Sequence, residues 1–223
     1  MPVPLRPTAE LADRVLLPGD PGRALAVAQA LLERPPRMFN HSRGLWGYTG
    51  VARDGEPLTV QSTGIGGPSA ALVCEQLVAL GAKRLVRIGT CRALAPGVAP
   101  GSLVAPARVL ARDGASAALG AGELLEPDQG LHARLAAAGA AAATLVSTDV
   151  LEPREAAGCD VADLQTAAVL RVAERAGVAA AAVLGVSRGA NGSEPLDAEQ
   201  LEELGLRLGE AGYAALATAA RSR

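Results

Sequence analysis

Short β-branched or Leu-rich runs along this chain alternate with longer segments in which Ala and Leu recur at helical spacing. The short runs predict strands over residues 14–17, 46–52, 58–62, 84–88, 103–110, 144–147 and 182–187. The longer ones predict helices over 22–32, 68–80, 130–138, 163–176 and 197–219. Gly81 and Gly177 stand where helix C-cap glycines belong, and Pro68 suits a first helical turn. Residues 114–130, rich in Gly, Ala and Ser, read as a loop. Such alternation favours an α/β fold, a parallel or mixed sheet with helices on both faces. There is no internal repeat and no sharp shift in composition, so residues 1–223 read as one domain.

Composition narrows the classes. Hydrophobic residues make up 49 % and charged residues 20 %, enough for one well-buried core. Aromatics are only 2 %, so that core must be built of Ala, Val and Leu, with few rings left to stack on a planar ligand. The net charge of -2, with no basic run, argues against nucleic acid as a partner. Lys83 is the only lysine. An arginine-dominated positive charge reads either as coding bias or as recognition of oxyanions by guanidinium forks. Residues 1–12 hold no signal-peptide core, and no run reaches the roughly 20 apolar residues of a membrane span. Cys74, Cys91 and Cys159 show no paired spacing and read as reduced thiols, while His41 and His132 cannot make a His-rich metal centre. The expectation is a cytoplasmic protein with no metal, no membrane and no nucleic-acid partner.

Open α/β sheets bind ligands at strand ends, and three loops fall there. Pro18-Gly19-Asp20-Pro21-Gly22-Arg23 follows a strand and opens a helix, offering backbone N–H groups, a positive dipole end and a charged fork. A tight proline turn with a solvated Arg23 explains it equally well. Ser62-Thr63-Gly64-Ile65-Gly66-Gly67-Pro68-Ser69 is a second glycine turn. It is neither a dinucleotide fingerprint, since Ser69 holds the third glycine's place, nor a P-loop, since it lacks the lysine. In Arg87-Ile88-Gly89-Thr90-Cys91-Arg92, a charge inside an apolar strand is costly unless it is paired or binds an anion. Anion binding is the stronger reading there, with an internal ion pair as the alternative.

Together with Arg112-Asp113-Gly114-Ala115-Ser116, these blocks resemble, in order and over most of the chain, those of the nucleoside phosphorylase family, uridine phosphorylases above all. The resemblance implies a three-layer α/β/α sandwich around a mixed, partly barrel-like sheet. It also implies a homo-oligomer, dimers assembled into a hexamer, with sites completed across the dimer interface. Carried over by position, Gly19, Arg23, Arg87 and Thr90 would bind phosphate, with Arg43 arriving from the neighbouring subunit. The implied reaction is phosphorolysis of a nucleoside to free base and ribose 1-phosphate, with inorganic phosphate as co-substrate and no cofactor. Arg87 and Arg188 would be catalytic. Thr90, Asp163, Leu164 and Gln165 would bind ribose, and Cys91, Arg92, Val150 and Arg188 the base.

Departures from the family cluster on the nucleoside side. The Met-Glu pair that grips ribose becomes Leu164-Gln165, neutral and a weaker acceptor. Pro4 stands where a histidine is common, and Arg92 where glycine lies beside the base. The stacking phenylalanine is replaced by Val150, and Leu151-Glu152-Pro153-Arg154-Glu155 lacks the Gln and Arg that read uracil. Gly44 replaces the carboxylate of the potassium site, so no such ion is expected. Arg188 stands where purine enzymes place an acidic proton donor, which favours a pyrimidine such as uridine; an ion pair with Glu194 or Asp197 is its structural alternative. A catalytically weak or inactive phosphate- and nucleoside-binding homologue is the main alternative, and a water-using nucleosidase the lesser one.

Overall fold

A computed structural model describes residues 4–151, 158–190 and 193–217. Its strands are β1 (Arg14–Pro18), β2 (Arg37–Asn40), β3 (Gly47–Val51), β4 (Pro57–Gln61), β5 (Arg84–Ala93), β6 (Leu103–Arg112), β7 (Leu124–Leu125), β8 (Ala141–Thr148), β9 (Val161–Asp163) and β10 (Ala179–Arg188). Its helices are α1 (Pro21–Leu31), α2 (Gly66–Ala79), α3 (Gly114–Ala118), α4 (Gln129–Ala137), α5 (Thr166–Ala176) and α6 (Ala198–Leu216).

All described strands join one mixed sheet in the order β10-β6-β8-β9-β5-β1-β4-β3-β2, with β7 on β6. Because β10 also pairs with β5, the strands β5, β10, β6, β8 and β9 close on themselves. The remaining strands extend from this barrel as an open wing. One apolar cluster packs α2 and α5 against the sheet through Val73, Leu77, Val169 and Val172. The other packs α1, α4 and α6 through Val27, Leu135, Leu204 and Leu208. Helices on both faces of a partly closed mixed sheet make the expected three-layer α/β/α sandwich. Both clusters are almost wholly aliphatic, as the shortage of aromatics requires.

Several boundaries differ from the sequence reading. The expected loop over 114–130 holds α3 and β7, because the Asp113 carboxylate caps α3 by accepting from the Ser116 N–H at 2.8 Å. Strand β5 runs past Ile88 to Ala93, since Val183, Leu184 and Gly185 of β10 continue the ladder beside Ile88, Gly89 and Thr90. Asp163, expected to begin a helix, instead ends β9. Its two oxygens accept the Thr166 N–H at 3.2 and 3.1 Å, so the carboxylate serves the helix from outside it. Strand β2 carried no apolar run long enough to be predicted. The helix expected through residue 219 is described to Leu216.

Candidate functional site

The ends of β1, β4 and β5 converge, and β9 closes antiparallel on the last residues of β5. A cavity of about 650 Å³ opens there. Eleven of the predicted site residues line it: Gly19, Arg23, Arg43, Arg87, Thr90, Cys91, Arg92, Val150, Asp163, Leu164 and Gln165. The four phosphate contacts expected from this chain, Gly19, Arg23, Arg87 and Thr90, are among them. Arg43, expected to reach a neighbour's site, lines this cavity within its own chain, and it does so in the left-handed conformation (φ 60°, ψ 19°). That conformation is uncommon for a side chain of its size and here lies within the short turn over residues 42–44.

Arg87 is the centre of the site. It is 4 % exposed, and its charge is held by a network of side chains. Its Nε donates to Asp163 Oδ2 at 3.1 Å and to Thr166 Oγ1 at 3.2 Å, its Nη2 lies 3.0 Å from the same carboxylate oxygen, and its Nη1 donates to Gln165 Oε1 at 2.5 Å. Asp163 is in turn fixed by the Ser147 hydroxyl (2.6 Å) and the Thr166 hydroxyl (2.6 Å). The internal ion pair, the alternative reading of this arginine, is present, and the residue also lines the cavity. The guanidinium folds back over Gly89, where a Cβ would stand 2.5 Å from Nη2. Only glycine leaves room for that course.

Arg23 enters from the first turn of α1. Asp20 caps this helix, its Oδ1 accepting from the Arg23 N–H at 2.7 Å, so the carboxylate at the cavity edge is committed to the backbone. The Arg23 side chain is half-buried against α6, where a Cβ on Gly205 would approach Nε to 3.2 Å, so it is not the solvated side chain of a simple turn. Burial pulls its pKa below the ordinary arginine value; Asp20 opposes this and the positive charge of Arg87 adds to it. Two guanidiniums that destabilise each other beside a cavity gain from a bound anion.

The residues expected to bind the nucleoside are organised differently. Leu164 is half-buried, and the Gln165 side chain bonds to Arg87 and to the glycine loop after β4. Arg92 lines the cavity, its Nη1 donating to the Leu151 carbonyl at 3.4 Å. Val150 and Leu151 are exposed at the rim. Arg188 does not join them: it is exposed at the end of β10, opposite Arg92 in the strand register, and its neighbour Ser187 lines the cavity instead. Pro4 is not among the lining residues. Residues 152–155, expected to shape base recognition, lie outside the described residues. The sequence reading missed Thr63, Ser147 and Thr166; the one available signal was that each is a hydroxyl at a strand end or within three residues of Asp163.

Cys91 is buried, and its thiol points at the Gly185 carbonyl with Sγ 3.7 Å away. Burial and the Asp163 charge push its pKa far up, which disfavours the thiolate. Among the described residues no group of three or more His, Cys, Asp or Glu side chains stands together as a metal site would require, and no helix is long and apolar enough to cross a membrane.

A family model of the Phosphorylase superfamily matches residues 13–221. The chain belongs to the Phosphorylase superfamily. Shorter stretches are similar to proteins named "Purine nucleoside phosphorylase DeoD-type". The one from Oceanobacillus iheyensis is 45 % identical over 86 residues, 38 % of this chain and 36 % of that protein. The one from Geobacillus kaustophilus is 45 % identical over 92 residues, 41 % of this chain and 38 % of that protein. The one from Caldanaerobacter subterraneus subsp. tengcongensis is 43 % identical over 90 residues, 40 % and 38 % of the two chains. These matches span little more than a third of each relative's length.

Proposed function

We infer that the chain catalyses phosphorolysis of a nucleoside, with inorganic phosphate as co-substrate and no cofactor. The convergence of Arg23, Arg43 and Arg87 with Gly19 and Thr90 on one cavity carries this reading. Three guanidiniums, a hydroxyl and a backbone N–H would hold phosphate and offset its charge. An oxygen of the held phosphate attacks the anomeric carbon as the glycosidic bond breaks. The bonding pair leaves with the base, and the oxocarbenium character that develops on the sugar is stabilised by the adjacent anion. The products are a ribose 1-phosphate and the free base. Dimers assembled into a hexamer belong to the same reading, as does a second role for the exposed Arg43 at a neighbour's site.

For the base, the sequence argument for a uridine-like pyrimidine rests on Arg188, which the cavity does not include, whereas the similar proteins bear purine names. A panel of uridine, inosine and adenosine, with and without phosphate, separates the readings. Base release that requires phosphate supports phosphorolysis and names the base. Equal release without phosphate would replace it by hydrolysis. Phosphate binding without any turnover would favour a binding homologue, the second reading, which the commitment of Gln165 to protein partners supports.

A further inference from the structure

Gln165 is buried, and every polar atom of its side chain is engaged. Its Oε1 accepts from Arg87 Nη1 at 2.5 Å and from the Thr63 hydroxyl at 3.3 Å. Its Nε2 donates to the carbonyls of Gly64 at 2.7 Å and Gly66 at 3.2 Å. The first glycine loop closes on the same point: Gly64 N–H donates to the Gly19 carbonyl at 3.0 Å, and a Cβ on Gly19 would stand 3.5 Å from Gln165 Oε1. One amide therefore ties together Arg87, the loop after β4 and, through it, the loop after β1.

The chemistry of this position selects an amide. Two carbonyls need a donor and a guanidinium needs an acceptor, and only a side chain carrying both can serve all three. A carboxylate here would hold Arg87 but would set its second oxygen against the Gly64 and Gly66 carbonyls. It would also add a second negative charge beside an arginine already paired with Asp163. We propose that Gln165 is a positioning residue, an amide strut that fixes Arg87 and both glycine loops in the geometry that receives an anion, and not a ligand of the sugar. This rests on the anion site of the proposed function, though not on turnover.

The test uses sulfate, whose charge is constant over the pH range needed, in titration calorimetry on the full chain. Gln165→Met keeps length and neutrality but removes the strut, and it is expected to weaken sulfate binding about tenfold or more at every pH. Gln165→Glu is expected to bind weakly near pH 8 and to recover toward about pH 5.5, where the protonated acid again donates to a carbonyl. Should the Met variant fail to fold, Gln165→Asn, neutral and too short to span the three partners, is expected to show the same pH-independent loss. Binding within about twofold of wild type in the Met or Asn variant overturns the strut. Wild-type protein that binds no sulfate overturns both the strut and the anion site, whereas intact sulfate binding without nucleoside turnover removes only the proposed reaction.

Discussion

Arg14 and Arg87 lie on adjacent strands of one sheet, both buried, and they differ in what their guanidiniums leave over. Arg14 donates from Nε to the Pro57 carbonyl at 2.7 Å, from Nη1 to Asp54 (2.5 Å) and the Leu216 carbonyl (3.3 Å), and from Nη2 to Asp54 (2.6 Å) and the Glu56 carbonyl (2.7 Å). All five of its N–H groups are used. Its guanidinium also lies 5.8 Å from the centre of the Tyr213 ring. Among the described residues Arg87 donates hydrogen bonds from Nε to Asp163 and Thr166 and from Nη1 to Gln165, its Nη2 lies 3.0 Å from the Asp163 carboxylate, and it lines a cavity. Burial of a charge is therefore not in itself a mark of function. An incomplete hydrogen-bond count beside a cavity is the more telling sign, because the missing partners are then supplied by a ligand.

The sharpest way to break this contrast is to exchange the two arginines, one at a time, for methionine. On the proposed function, Arg87→Met is expected to lower phosphate-dependent turnover by about two to four orders of magnitude, as one of the contacts proposed for the transition-state anion would be lost. Arg14→Met takes its cation from the half-buried Asp54 carboxylate and is expected to cost about 3 kcal/mol of folding stability. The fraction that remains folded should keep the wild-type KM for phosphate. Urea unfolding and steady-state kinetics on both variants read the two effects separately. Comparable loss of phosphate affinity in both variants, or none in Arg87→Met, would erase the distinction.

A smaller change sharpens it. Gly89→Ala leaves every charge in place but sets a methyl 2.5–2.9 Å from the Arg87 guanidinium nitrogens, so the side chain must move. The expected outcome is about a tenfold rise in KM for phosphate, as for the loss of one charge-assisted hydrogen bond. An unchanged KM would mean that the folded-back course of Arg87 does not matter to the anion.

How much of this was legible beforehand depended on whether a signal was local. The layer order, the long helices and the anion-binding blocks are local in sequence, since each needs only a strand, a glycine turn and the next residues. The singular cost of Arg87 could be read because Ile88 and Val86 flank it. Arg14 opens its strand directly after Asp13, a position where a charged side chain ordinarily reaches solvent, and the partner that holds it buried, Asp54, lies 40 residues away. The role of Gln165 was hidden for the same reason: its carbonyl partners are 99 and 101 residues distant, and no residue pattern announces a hydrogen bond to backbone. Strand β9 was missed because three residues carry no periodicity and are held only by pairing with β5 and β8.

The thiols extend the comparison to groups that are buried without a charge. Burial pushes the Cys74 thiol from its ordinary value of 9.0 to about 12, with the nearby Arg87 opposing the shift and Glu75 adding to it. An acid with a raised folded-state pKa keeps its proton in the native protein where the unfolded chain has already lost it. Its contribution to stability is thus complete below about pH 9 and falls as pH rises from there toward about 12. The slope approaches roughly 1.4 kcal/mol per pH unit for each such thiol. Cys91, shifted in the same direction, adds to this fall. Urea unfolding at pH 8, 9 and 10 should show wild-type stability declining through the upper half of that range, and Cys74→Ala, which removes one of the protons, should decline less steeply. Equal slopes in wild type and variant would show that Cys74 ionises no differently in the folded and unfolded chains.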